Sequence, residues 1–224
     1  MNWSPIILSL ELALVTTILL FVLAVPLASW LSSTRSKLKP IIESVISLPL
    51  VLPPTVLGFY LLMAFSPNNT LGQWLQEHLG FQLIFTFPGL VLGSVIYSLP
   101  FMVQPIQSGL SNLPLNMKES SYVLGKSRFQ TLLQVLLPNI KASVLTALVL
   151  TFAHTMGEFG VVLMIGGNIP GVTKVASIAI YDEVESLNYA AAHQYALILL
   201  LITFGILLSV YSLNKKLNLP HHHA

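Results

Sequence analysis

Residues 118–141 read KESSYVLGKSRFQTLLQVLLPNIK, the pattern of two short helices meeting at a glycine. Gly125 suits a left-handed residue ending the first helix, a backbone conformation that a β-carbon resists. Ser127 is placed to cap the second helix, with Gln130 three residues on completing a capping box. Phe129, Leu132, Leu133, Leu136 and Leu137 then recur at helical spacing as one apolar face, and Pro138 is expected to stop the helix. Glu119 is expected to open the first helix, where a carboxylate is favoured by the helix N-terminus. The product is a rigid L-shaped element, and such an element can transmit a push.

The chain on either side is strongly apolar. Of 224 residues, 54% are hydrophobic and 8% charged, whereas a soluble domain carries about 25% charged residues. So few charges cannot cover a water-facing surface. Five apolar runs are long enough to cross roughly 30 Å of hydrocarbon: about Ile6 to Leu31, Ile41 to Phe65, Pro88 to Ile106, Ile140 to Ile165 and His193 to Leu213. The second is interrupted by LPLVLPP, whose Pro49, Pro53 and Pro54 predict a kinked or broken helix. The fold class expected is therefore all-α and polytopic: one membrane domain over 1–224, with the L-shaped loop at about 114–139. The first run lacks a basic leader and is expected to be retained. Zero cysteines exclude disulfides, thiolate metal sites and cysteine nucleophiles, and no internal repeat is evident.

Basic residues near span ends orient a membrane protein, because they are held on the cytoplasmic side. Arg35, Lys37 and Lys39 follow the first span; Lys118, Lys126, Arg128 and Lys141 lie between the third and fourth; Lys215 and Lys216 follow the fifth. Only Lys174 falls on the other side. The expected topology has the N-terminus outside, the C-terminus inside, and Gly109 to Asn139 in the cytoplasm. Two outside segments are expected to lie on the membrane. In Thr70 to Leu79, residues Leu71, Trp74, Leu75 and Leu79 form an apolar face, with Thr70 and Gln73 placed as a capping box. Gly166 to Ala192 carries Asp182, Glu183 and Glu185, which a solvated face explains better than cation binding. Asn68-Asn69-Thr70 matches a glycosylation sequon to which no weight is given.

Glu119, Gly125 and Leu137-Pro138 have the intervals of the EAA loop of bacterial ABC importer permeases: EAA, three residues, G, nine residues, I-x-LP. The chain resembles that family, with Ser120 and Ser121 in place of two alanines and Val135 in place of isoleucine. The resemblance implies a MetI-like permease fold in the bacterial inner membrane, and a coupling helix from Glu119 to Gly125 seated in a cleft of an ATPase subunit. Glu119, Ser120, Ser121, Gly125 and Pro138 would be the ATPase-coupling residues. Gly125-Lys126-Ser127 also resembles the end of a P-loop. That motif needs a glycine where Ser120 stands and a preceding strand, so nucleotide binding is not expected in this chain. ATP and Mg would belong to the partner ATPase; no cofactor or metal is expected here, and the chain is not expected to be an enzyme.

The fourth span carries AHTMGEFGVVLMIGGNIPG, where His154 and Glu158 are four residues apart and would share a helix face. Ionisable groups within a bilayer normally face a bundle interior or a water-filled path. Counted from Lys141 at about 1.5 Å per residue, His154 lies roughly 20 Å in and Glu158 roughly 25 Å. Glycines 157, 160, 166 and 167 would admit a helix or substrate close to the backbone. Gly157, Glu158 and Gly160, with His154, are the expected pathway or gate residues. For Glu158 a packing role, hydrogen-bonded to His154 or to span ends, and a gating role both fit, while oxyanion binding does not, because like charges repel. His154 is neutral or charged near neutral pH. Glu43 and Glu11, near span starts, read as structural.

GEFG followed by GNIPG, together with LPLVLPP, resembles the molybdate and sulfate branch of these permeases. The short, five-span plan favours molybdate over sulfate; relatives often have arginine where this chain has His154. The resemblance implies a second copy of the chain, two ATPase subunits, a periplasmic oxyanion-binding protein and lipid as partners, with no nucleic acid. Alternatives are a sulfate, thiosulfate or tungstate importer permease. From other classes, a channel or secondary transporter would not need the L-shaped element, and a metalloenzyme would need more ligands than His154 and Glu158. His221, His222 and His223 are given no functional weight.

Overall fold

The computed structural model describes residues 2–217, with side chains described to 212 and that of Leu79 excepted; His221, His222 and His223 lie outside the described residues. The described residues form twelve α-helices and one π-helical turn, with no strand among them. Helix α1 (Ser4–Ser33) begins on Pro5, whose missing N–H costs nothing in a first turn. Small residues Ser9, Ala13, Thr17, Ala24 and Ala28 are buried along it. They let the backbone lie close against α5 (Phe87–Ser111) and α9 (Lys141–Met156), its main partners. Leu20, Ala28, Leu31, Met102, Ile106 and Ala147 fill the main core between these three helices.

The second apolar run is two helices, α2 (Lys39–Val51) and α3 (Pro54–Phe65), turned through 112°. Neither Pro53 nor Pro54 can donate a backbone hydrogen bond, and a residue before proline is pushed to extended geometry. Leu52 and Pro53 accordingly have ψ of 137° and 135°. The expected interruption is therefore a full break. Three helices, α1, α5 and α12 (Tyr189–Leu217), are long and apolar enough to cross a membrane alone; counting each bent helix pair as one span gives five.

Two connecting segments carry features that were not expected. In α4 (Thr70–Leu79) the cap is Asn69, whose Oδ1 accepts from Thr70 N at 2.7 Å, not a box of Thr70 and Gln73. The extended backbone of Asn69 (φ −112°, ψ 152°) places its short side chain where Thr70's cannot reach. Residues 166–192 include a helix packed onto the bundle. They fold as a buttress, α11 (Ala176–Glu185), with Ala176, Ile178 and Ala179 buried against α1 and α12. Its carboxylates have local partners: Asp182 takes Lys174 and Asn168, and Glu183 takes Asn188. Glu185 accepts the Tyr181 hydroxyl, which pushes that phenol above its ordinary pKa.

Candidate functional site: an L-shaped element and a cavity at two helix breaks

The L-shaped element folds largely as its residues dictate. Helix α6 (Leu115–Val123) follows Pro114, and Gly125 makes the turn at φ +78°. Ser127 caps α7 (Arg128–Thr131) in a complete capping box with Gln130. Ser121 is buried between the arms, its hydroxyl 2.9 Å from that of Thr131. This bond holds the two arms at a fixed angle.

Three details change. Glu119 does not open α6, because Pro114, five residues earlier, starts the helix; its side chain is exposed mid-helix beside Asn116, Ser120, Val123 and Leu124. Pro138 does not end the second arm. It sits inside the short helix α8 (Leu137–Asn139), and the chain turns 85° two residues later, at Ile140. Pro138 cannot donate to the turn before it, and Leu132–Leu136 widens to a π turn in which Leu137 N bonds Leu132 O. The expected single apolar face is consequently divided: Leu132 and Leu136 are buried, whereas Phe129 and Leu133 are exposed. With Val123 87% and Leu124 79% exposed, the tip of the element is an uncovered apolar surface.

The fourth apolar run is also broken. Helix α9 ends at Met156, Gly157 is its C-cap, and α10 (Gly160–Gly166) begins three residues on. His154 and Glu158 therefore do not share a continuous helix face, since Glu158 lies in the break. Gly157 has low helix propensity, and the freed carbonyl of Glu158 is taken by Ser177 Oγ of α11 at 2.6 Å. Glu158 is 4% exposed, and neither carboxylate oxygen has a hydrogen-bond partner among the described residues; the expected bond to His154 is absent. The His154 ring instead stacks on Phe101, centroids 4.0 Å apart, and lies tilted by 40° against Tyr97 at 4.9 Å.

The two breaks meet. A cavity of about 470 Å³ is lined by Pro54 and Thr55 from the first and by His154, Gly157, Glu158 and Gly160 from the second. A β-carbon on Gly160 would stand 2.7 Å from Pro54 Cβ, and one on Gly58 would stand 2.8 Å from Met164 Cβ, so α3 and α10 touch through glycines. Gly157 is exposed, and a β-carbon there would meet only carbonyl oxygens of its own helix, at 3.9 Å. Gly166 and Gly167 serve local packing, against Leu90, Thr173 and Phe85. Of the expected pathway residues, His154, Gly157, Glu158 and Gly160 thus share one cavity. Pro54, Thr55 and Gly58 were missed as site residues, although a proline pair followed four residues on by a glycine signals a helix that starts against another backbone.

An all-helical bundle with broken helices around a shared cavity and an exposed L-shaped element between spans is the architecture of a membrane permease. Residues 5–219 match the family described as binding-protein-dependent transport system inner membrane component, and the chain belongs to that family. It is 49% identical over 210 residues to the molybdenum transport system permease protein ModB of Azotobacter vinelandii, covering 93% of this chain and 92% of that one. It is 30% identical over 191 residues to the sulfate transport system permease protein CysT of Escherichia coli, covering 85% and 69%. The fold is that of ABC importer permeases. A bacterial alginate ABC transporter in complex with an alginate pentasaccharide-bound periplasmic protein has TM-score 0.76 at 18% identity, covering 96% of this chain and 78% of that one. The MetNI methionine ABC transporter, inward facing, has TM-score 0.72 at 15% identity, covering 96% and 95%.

Proposed function

We propose that this chain is the permease subunit of an ABC importer for molybdate. The observation that carries the reading is the 49% identity, nearly end to end, to a molybdenum transport permease; the 30% match to a sulfate permease covers less of both chains. In this reading the chain is one transmembrane domain, N-terminus outside, that pairs with a second copy around a central path. Two ATPase subunits, supplying ATP and Mg chemistry, dock beneath, and a periplasmic binding protein delivers the oxyanion.

The exposed Val123 and Leu124, with Glu119 and Ser120 beside them, are the surface offered to the ATPase. Ser121, Gly125 and Pro138 hold that surface at a fixed angle to α9. Its far end carries His154 and the break at Gly157, so a push on the loop reaches the cavity without an intervening flexible segment. Glu158, buried where the chain breaks between α9 and α10, acts there as a gating or positioning group. ATP binding biases two gate conformations, and the permease performs no chemistry itself. Uptake of labelled molybdate into proteoliposomes holding the whole complex tests the reading. Uptake of sulfate in preference to molybdate would overturn the substrate assignment.

A further inference from the structure

We propose that the cleft between the cytoplasmic end of α1 and the L-shaped element binds the headgroup phosphate of an anionic phospholipid, which braces the element against the bilayer. The proposal rests on the orientation given above, which sets this cleft in the cytoplasmic leaflet. The cleft holds about 590 Å³ and has two unlike walls. One is a single face of α1, where Pro26, Trp30 and Ser33 recur at helical spacing. The other carries Lys118 and Arg128, with Leu132 and Leu136.

The chemistry along the cleft is graded. Toward the bilayer interior it is apolar, and the same face of α1 continues as exposed Val15, Leu19 and Val22, a track for an acyl chain. At its mouth stand two cations, the Ser33 hydroxyl and the half-exposed indole of Trp30, a ring suited to the headgroup level. No carboxylate lines the cleft. Neither Lys118 nor Arg128 has an ion-pair or hydrogen-bond partner among the described residues, whereas Lys126 is engaged by Gln134 at 2.9 Å. Lys118 and Tyr122 lie on one face of α6, and the surface offered to the ATPase lies on another, through Asn116, Glu119, Ser120 and Val123. The cationic cleft is thus left for a ligand with a phosphate at one end and hydrocarbon at the other. Basic pockets at the cytoplasmic ends of membrane helices bind anionic headgroups for this reason.

Native mass spectrometry of the whole complex, titrated with phosphatidylglycerol or phosphatidylcholine in a neutral detergent, reads the site directly. The expected result is retention of one phosphatidylglycerol per permease, not displaced by phosphatidylcholine. The Lys118→Gln/Arg128→Gln variant should bind it about thirtyfold more weakly. Ser33→Trp, which fills the mouth from the other wall, should lose the lipid too, and Lys126→Gln, which removes a cation that does not line the cleft, should keep it. Equal retention of both lipids, unchanged affinity in the double variant, or displacement by inorganic phosphate at comparable concentration would each overturn the proposal. Retention by the isolated permease with exclusion from the whole complex would assign the cleft to the ATPase instead. Because the chain has no cysteine, Ser33→Cys labelled by an impermeant maleimide tests the orientation separately. Labelling from the periplasmic side would overturn that orientation, whereas lost lipid selectivity overturns the site.

Discussion

Adding one methyl group at Gly160 should separate the two helix breaks that form the cavity. In Gly160→Ala the new β-carbon would lie 2.7 Å from Pro54 Cβ, 3.2 Å from Thr55 N and 3.3 Å from Pro54 C. None of these atoms is the end of a flexible side chain, so relief requires α3 to move away from α10. Overpacking of this kind costs about 1–3 kcal/mol, of which better helix propensity returns at most about 1 kcal/mol. Gly157→Ala is the control, since the nearest atoms to its β-carbon, 3.9 Å away, belong to its own helix. Reversible unfolding in mixed micelles, followed by circular dichroism, should show Gly160→Ala destabilised and Gly157→Ala near parental. The clash is with Pro54 Cβ itself, so Pro54→Ala should give no rescue. Pro54→Gly should give a coupling energy of about 1 kcal/mol or more in the double-mutant cycle. A Gly160→Ala protein as stable as Gly157→Ala would refute the close contact of α3 and α10.

Gly125→Val places a β-branched residue at φ +78°, at a cost of about 1–2 kcal/mol; membrane levels should stay near normal while transport-coupled ATP hydrolysis and recovery of the ATPase on pull-down fall. Ser121→Ala orphans the buried Thr131 hydroxyl and should cost about 1–3 kcal/mol in micelle unfolding, with Ser121→Ala/Thr131→Val recovering most of it. A reporter fused after Leu115 should be cytoplasmic and one near Gly171 periplasmic; both reversed would overturn the orientation.

The L-shaped element was legible because its signals are local. A glycine at the turn and a serine three residues before a glutamine act through their own backbone, and both behave as expected. Pro138 was misread because its effect is distributed: the missing donor is absorbed by a π turn upstream, and the chain bends only at Ile140. Glu119 was misplaced because Pro114, five residues earlier, starts the helix. In the fourth apolar run, the apolar residues resume directly after GEFG with no proline between, so a continuous helix is the natural expectation. The break at Gly157 depends on Pro54 packing onto Gly160 and on Ser177 accepting responsibility for the Glu158 carbonyl, both distant in sequence. For the same reason the cavity's other wall, Pro54 and Thr55, could not be paired with His154 from periodicity. The buttress α11 was hidden because Asp182 and Glu185 read as solvated charges until Lys174, Asn168 and Tyr181 are seen beside them.

In the proposed function, this permease carries the energy of ATP hydrolysis, through the loop at 115–139, to a molybdate path. The most direct measurement is ATP hydrolysis by the reconstituted complex on addition of the oxyanion-loaded periplasmic binding protein. Molybdate-loaded protein should stimulate hydrolysis, sulfate-loaded protein should do so far less, and Gly125→Val should abolish the stimulation at equal membrane content. Hydrolysis indifferent to the loaded binding protein, or equal stimulation in Gly125→Val, would contradict the account.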